Sequence, residues 1–153
     1  MEQNMTEASA GQAAQSPPSQ ATIADLMRPP VTTMELTDHA AAAAYLMKHA
    51  GTSALVVLDP QTGEPAGIIT EADIAHAVAD GKDLNEVRIH DLMTADPTVI
   101  NPTASIRDAA IIMTRGRFRH LPVTSDSALV GMVDISDICR ALIGPALFEE
   151  KRT

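Results

Sequence analysis

The sequence predicts an α+β fold made of two copies of one β-α-β-β-α unit, packed as a pseudo-twofold pair. Three observations predict it. The second half of the chain repeats the first. Each half passes between helical and strand periodicity in the same order. One unit alone, at about 55 residues, buries too little area to be robust, so two copies are expected to pack together.

The repeat is read directly. Ile23-Ala24-Asp25-Leu26-Met27 returns as Ile89-His90-Asp91-Leu92-Met93, an offset of 66. The same offset sets Thr37 on Thr103, Tyr45-Leu46-Met47 on Ile111-Ile112-Met113, Leu55 on Leu121 and Val57 on Val123. A shorter second hairpin loop reduces the offset to 64, so Gly67, Asp73 and Ile74 fall on Gly131, Asp137 and Ile138. The units are taken as residues 21–82 and 83–146. A tail at 1–20, rich in Ala, Gln, Ser and Pro, and a short tail at 147–153 lie outside them.

Each unit opens with a helical turn ending at Met27 or Met93, followed by a short strand at 31–33 or 98–100. Thr37 or Thr103 is expected to cap the next helix, supported by Asp38 in one copy and by Ser105 and Asp108 in the other. Ala40, Ala43, Ala44 and Met47 recur at helical spacing, as do Ile106, Ala109, Ala110 and Met113. The first of these helices runs to about His49, with Gly51 as its stop. A hairpin follows, 54–58 with 65–70 in one copy and 120–124 with 128–133 in the other, joined by Asp, Pro, Gly and Ser. The closing helices span 71–79 and 135–143.

Composition narrows the function. Aromatic residues make up 2% of the 153 positions, so the core is aliphatic and stacked-base recognition of single strands is disfavoured. A formal net charge of −9 disfavours DNA, RNA and anionic membranes as partners. No stretch nears the roughly 20 apolar residues of a membrane span. No basic-then-apolar leader is present, so a cytoplasmic location is expected. The single Cys139, between Ile138 and Ala141, reads as a buried, inert thiol. The five histidines have no metal-ligand spacing, and no nucleophile elbow, P-loop or complete dinucleotide fingerprint occurs. Neither an enzyme nor a required cofactor or metal is expected.

Two features remain. Gly67-Ile68-Ile69-Thr70-Glu71-Ala72-Asp73 sits where a strand gives way to a helix, as does its copy Gly131-Met132-Val133-Asp134-Ile135-Ser136-Asp137. Helix capping alone accounts for Thr70, Asp73 and Asp134. The same geometry offers free amides and a hydroxyl to a phosphate, and a carboxylate to a ribose diol. Arg115-Gly116-Arg117-Phe118-Arg119-His120 concentrates three of the chain's 11 basic residues. It reads either as a solvated turn or as a local anion site.

The duplicated order, the Asp-Leu-Met lead-in, the His120-Leu121-Pro122-Val123 strand and the two Gly-x-x-(Thr/Asp)-x-x-Asp endings closely resemble a tandem pair of CBS domains, a Bateman module, across roughly residues 23–143. The resemblance implies two clefts for adenosine-containing ligands such as AMP, ADP, ATP or S-adenosylmethionine. By position, one cleft would combine Thr70 and Asp73 with Val99, Ile100, Arg119, His120 and Leu121. There Asp73 would hold the ribose, and Thr70 and Arg119 would face phosphate. The other would combine Asp134 and Asp137 with Val31, Thr32, Ser53, Ala54 and Leu55. Asp134 departs from the family's usual Thr or Ser, and its charge repels phosphate, so the Thr70/Asp73 cleft is expected to be the better site. The resemblance implies an adenine nucleotide as regulatory ligand, a homodimer, and an output through an unknown protein partner in trans. The alternative is a ligand-free structural or interaction module of the same fold.

Overall fold

The structure, a computed structural model, describes residues 21–29 and 33–144. The predicted tails at 1–20 and 147–153 therefore lie outside the described residues. In chain order the elements are α1 (Ile23–Leu26), β1 (Met34–Glu35), α2 (Ala40–Ala50), β2 (Ala54–Leu58), β3 (Pro65–Thr70), α3 (Glu71–Ala79), α4 (Ile89–Leu92), β4 (Thr94–Ala95), α5 (Ile106–Gly116), β5 (His120–Ser125), β6 (Ala128–Asp134) and α6 (Ile135–Ile143).

The two hairpins fall where turn chemistry and β-branched runs place them. β2 pairs antiparallel with β3, setting Leu55 opposite Ile69 and Val57 opposite Gly67. β5 pairs with β6 in the equivalent register, Leu121 opposite Val133 and Val123 opposite Gly131. On the outer side of β2, β1 adds a parallel strand with Met34 opposite Val57. In the second unit a single parallel bridge, Ile100 to Val123, does the same.

The remaining sheet edge reveals an exchange between the units. β4, from the lead-in of the second unit, pairs with β3 of the first, Thr94 opposite Ile68. Arg28, from the lead-in of the first unit, bridges Met132 on β6 of the second. The helical turns cross over with them. Ile23 on α1 is fully buried with Leu121, Val123, Val133 and Ile138. Ile89 on α4 is fully buried with Leu55, Val57 and Ile69. The backbone repeats the pattern. Ile23 N–H donates to the Ala104 carbonyl at 3.0 Å, and Ile89 N–H donates to the Asp38 carbonyl at 2.9 Å. Gly67 and Gly131 permit the crossing. A Cβ on Gly131 would lie 2.7 Å from the Arg28 carbonyl oxygen, and one on Gly67 would lie 3.0 Å from that of Thr94.

Several local expectations are corrected. The α2 helix begins at Ala40 with His39 as N-cap and no side-chain cap bond, so Thr37 does not cap it. Asp38 instead accepts the Glu35 N–H at 2.9 Å, closing the preceding turn. In the second unit Ser105, not Thr103, accepts the Asp108 N–H, at 3.0 Å, while the Thr103 hydroxyl donates to Asn101. A strand forms at Met34–Glu35; of the expected strand at 31–33, residues 31 and 32 lie outside the described residues, and Thr33 is not in a strand. The expected 98–100 strand is reduced to the Ile100 bridge, flanked by Pro97 and Pro102, which have no N–H to donate. Cys139 is exposed. It follows the buried Ile138 by one position on α6, and a step of about 100° per residue turns it off the apolar stripe. Among the described residues no helix is long and apolar enough to cross a membrane.

Candidate functional site

A strand-to-helix junction builds one side of the site. β3 ends at Thr70, whose extended backbone caps α3. The Thr70 Oγ1 accepts the Asp73 N–H at 3.3 Å, and Asp73 Oδ2 accepts the Thr70 N–H at 2.8 Å and the Thr70 hydroxyl at 3.0 Å. The Glu71 N–H donates to the Ser53 carbonyl at 3.0 Å. Of the first-turn amides this leaves that of Ala72, at the positive end of the helix dipole.

This junction faces a cavity of about 420 Å³. One wall carries Ser53, Ile68, Thr70, Glu71, Ala72 and Asp73 of the first unit. The other carries Thr94, Asp96, Pro97, Thr98, Arg117, Phe118, Arg119, His120 and Pro122. Thr70, Asp73, Arg119 and His120 are thus brought together. Ile100 and Leu121 lie in the core of the second unit, and Val99 is exposed on the loop between β4 and α5, so none of the three lies on the cavity wall. Strand alternation separates them. His120 and Pro122 face the cavity, while Leu121 between them faces the core. Sequence reasoning did not assign Arg117, Phe118, Thr94 or Thr98. The Arg115–His120 run was the available signal for the first two. It divides in space: Arg117 and Arg119 reach this cavity, while Arg115 lines a shallow groove between α5 and α6 with Ile111 and Leu142.

Arg117 ends α5 in the left-handed conformation, φ +56°. Its counterpart at the end of α2 is Gly51, φ +65°. The second unit therefore holds a bulky side chain where the first uses the residue suited to that backbone. His120 Nε2 lies 2.8 Å from the Ser53 hydroxyl oxygen, across the two units. Burial pushes the His120 imidazole below its usual range, with Arg119 adding to the effect and Asp134 and Glu71 opposing it. A neutral imidazole at neutral pH leaves the positive charge of the wall to the two guanidiniums.

The second strand-to-helix junction, at Asp134 and Asp137, is built differently. Asp134 caps α6, accepting the Asp137 N–H at 2.9 Å and the hydroxyl of Ser136. Burial works to raise the Asp134 carboxyl, but the Ser136 hydroxyl, the Asp137 and Ser136 amides and the Arg28 charge outweigh it and hold it below the usual range. Asp137 is buried and paired with Arg28 at 3.0 Å and Arg140 at 3.3 Å. Ala54 and Leu55 are each 1% exposed, closed into the core. Ser53 lies instead on the wall of the first cavity. Val31 and Thr32 lie outside the described residues.

The family model for the CBS domain matches residues 23–80 and again 89–144. Among curated proteins, the chain is 36% identical over 94 residues to the mitochondrial CBS domain-containing protein CBSX3 of Arabidopsis thaliana, covering 59% of this chain and 46% of that one. It is 39% identical over 104 residues to a 17.7 kDa protein of Acidianus ambivalens, covering 67% and 62%. The match thus spans about half the length of these curated relatives. Among solved structures, the CBS-domain containing protein ATU1752 of Agrobacterium tumefaciens superposes with a TM-score of 0.75 at 28% identity, over 84% of this chain and 98% of that one. A hexameric CBS-CP12 protein from bloom-forming cyanobacteria gives 0.76 at 28%, over 90% and 79%. CBSX2, solved in complex with AMP, shares the fold at 23% identity, with a TM-score of 0.66 over 80% and 96%. Duplicated sequence, exchanged lead-ins and matching hairpins agree with these likenesses: the chain belongs to the CBS domain family, as a tandem pair.

Proposed function

We propose that the chain is a regulatory module that binds one adenosine nucleotide in the Thr70/Asp73 cavity and passes the occupied state to a partner in trans. The observation that carries this reading is the cavity of about 420 Å³ in which an acid-bearing helix N-terminus faces two arginines. That volume lies within the range of small-molecule sites. Asp73 would accept hydrogen bonds from a ribose diol. The Ala72 amide, the Thr70 hydroxyl and the Arg117 and Arg119 guanidiniums would hold phosphate. Ile68, Pro97, Phe118 and Pro122 would supply the apolar surface for adenine. A ligand spanning both walls would tie the units together and shift their relative freedom, which is the physical means of signalling open to such a module.

The second reading is a ligand-free interaction module. It is favoured by the complete Thr70–Asp73 cap, which satisfies both side chains without a ligand. Calorimetric titration of AMP, ADP, ATP and S-adenosylmethionine separates the two. The nucleotide reading expects saturable binding that is lost in Asp73→Ala and weakened at least tenfold in Arg119→Ala. No heat and no thermal stabilisation with any of the four would overturn it and leave the interaction module.

A further inference from the structure

The two clefts differ in one contact that the pseudo-symmetry makes legible. Arg28 and Thr94 are equivalent positions: each is the lead-in residue laid antiparallel on the hairpin of the opposite unit, Arg28 on Met132 and Thr94 on Ile68. The backbone of both is therefore held at the same place beside its cleft. Thr94 is short and lines the open cavity in front of Asp73. Arg28 is long, and its Nη2 reaches Asp137 Oδ1 at 3.0 Å. Asp137 occupies the position of Asp73 in the repeat and is only 6% exposed. A second guanidinium, that of Arg140, meets the same oxygen at 3.3 Å. In the first unit the residue equivalent to Arg140 is His76, which is exposed. Two cations thus converge on the acid of the second cleft, whereas the equivalent positions of the first unit hold a threonine and an exposed histidine.

We propose that Arg28, whose side chain is 59% exposed, lies across the mouth of the second cleft with its guanidinium on Asp137. It sits where a ligand diol would approach Asp137, and it leaves the chain with one nucleotide site instead of two. The arrangement also answers a problem specific to this cleft. Asp134 and Asp137 stand three residues apart at one helix start, and Arg140 alone would leave one of the two charges without a counter-ion. Arg28 neutralises the pair from the lead-in, and in doing so it ties the segment that crosses between the units to the floor of the cleft. Displacing Arg28 would expose a site that is acidic at both positions, suited to an uncharged nucleoside and not to a phosphate.

The inference rests on the nucleotide reading for the count of one site, and the test keeps the two apart. Calorimetry with AMP on the wild-type chain is expected to give one site per chain, absent in Asp73→Ala. Adenosine is then titrated into Asp73→Ala and into Arg28→Thr/Asp73→Ala, where the threonine copies Thr94. The double variant is expected to bind one adenosine per chain, at least tenfold tighter than Asp73→Ala binds it, and to prefer adenosine over AMP. Two AMP per wild-type chain, one of them surviving Asp73→Ala, would overturn the proposal without recourse to any Arg28 variant. So would a folded double variant that binds adenosine no better than Asp73→Ala. If the wild-type chain takes no AMP while the double variant takes adenosine, the reading of the first cavity fails and that of Arg28 stands.

Discussion

Ser53 and His120 meet at 2.8 Å across the two units, the hydroxyl of one hairpin against the imidazole of the other. The contact fixes the floor of the open cavity. It also holds a histidine in partial burial, where its charged form is penalised.

A pH dependence follows. The folded pKa of His120 lies below the 6.5 of an unperturbed histidine. The unfolded chain therefore binds more protons at this site as pH falls to about 6.5 and below, and folding stability rises with pH in that window. The contribution is fully present above about 6.5 and is lost as pH falls through that value toward the folded pKa. Urea unfolding across this range is expected to show a slope that His120→Gln reduces. An unchanged slope in the variant would show that His120 is not the group responsible.

Arg117 in the left-handed region gives a prediction with two opposing signs. Gly51, its counterpart, is the residue that this backbone favours. Arg117→Gly removes a conformational penalty of about 1 kcal/mol and so is expected to raise the unfolding free energy by up to that amount. The same change removes a guanidinium from the cavity wall and should weaken AMP binding several-fold. Chemical denaturation and calorimetry on one preparation test both. A variant that is less stable and binds equally well would contradict each half.

The exchanged lead-ins predict long-range damage. Ile23 is close in sequence to the first unit but fully buried in the core of the second. Ile23→Ala is expected to cost about 2–5 kcal/mol. Hydrogen exchange should report the loss first at β5 and β6, whereas Ile89→Ala should loosen β2 and β3. Protection lost in the adjacent hairpin instead would refute the crossing.

That crossing was not legible in the sequence, although its ingredients were. The repeat located Ile23 and Ile89 as equivalents, and the hairpins and closing helices followed from turn residues and periodicity. Nothing in a one-dimensional repeat distinguishes a lead-in that packs on its own unit from one that packs on the other, because pseudo-symmetry makes the two arrangements alike in pattern. The helix starts were missed by two residues for a local reason. Thr37 and Thr103 have good capping chemistry, but Asp38 and Asn101 draw the chain into a preceding turn. At the site, Thr70 and Asp73 were visible because capping and ligand binding require the same residue types. Arg28 was invisible because its partner Asp137 lies 109 positions away.

The helices of both units present an exposed face that carries apolar side chains. Four of its exposed apolar residues form two equivalent pairs. Tyr45 on α2 answers Ile111 on α5, and Val78 on α3 answers Leu142 on α6, with exposures of 60%, 37%, 58% and 60%. Duplicated apolar positions on both units give a surface that can meet a second copy with either unit facing either, which suits a closed twofold dimer. A stable contact of this kind needs roughly 800 Å² from each partner, more than one unit's helix pair would supply with a single side chain. Both pairs are therefore expected to be engaged. Light scattering at micromolar concentration should give about twice the 16.2 kDa chain mass. The variant Ile111→Arg/Leu142→Arg should return it to the monomer, because two added guanidiniums beside Arg107 and Arg115 cannot be buried there without a counter-charge. Neither residue lines the Thr70/Asp73 cavity, which leaves AMP binding as an internal control for folding. A monomeric wild-type chain, or a double arginine variant that still runs as a dimer, would exclude this face as the interface.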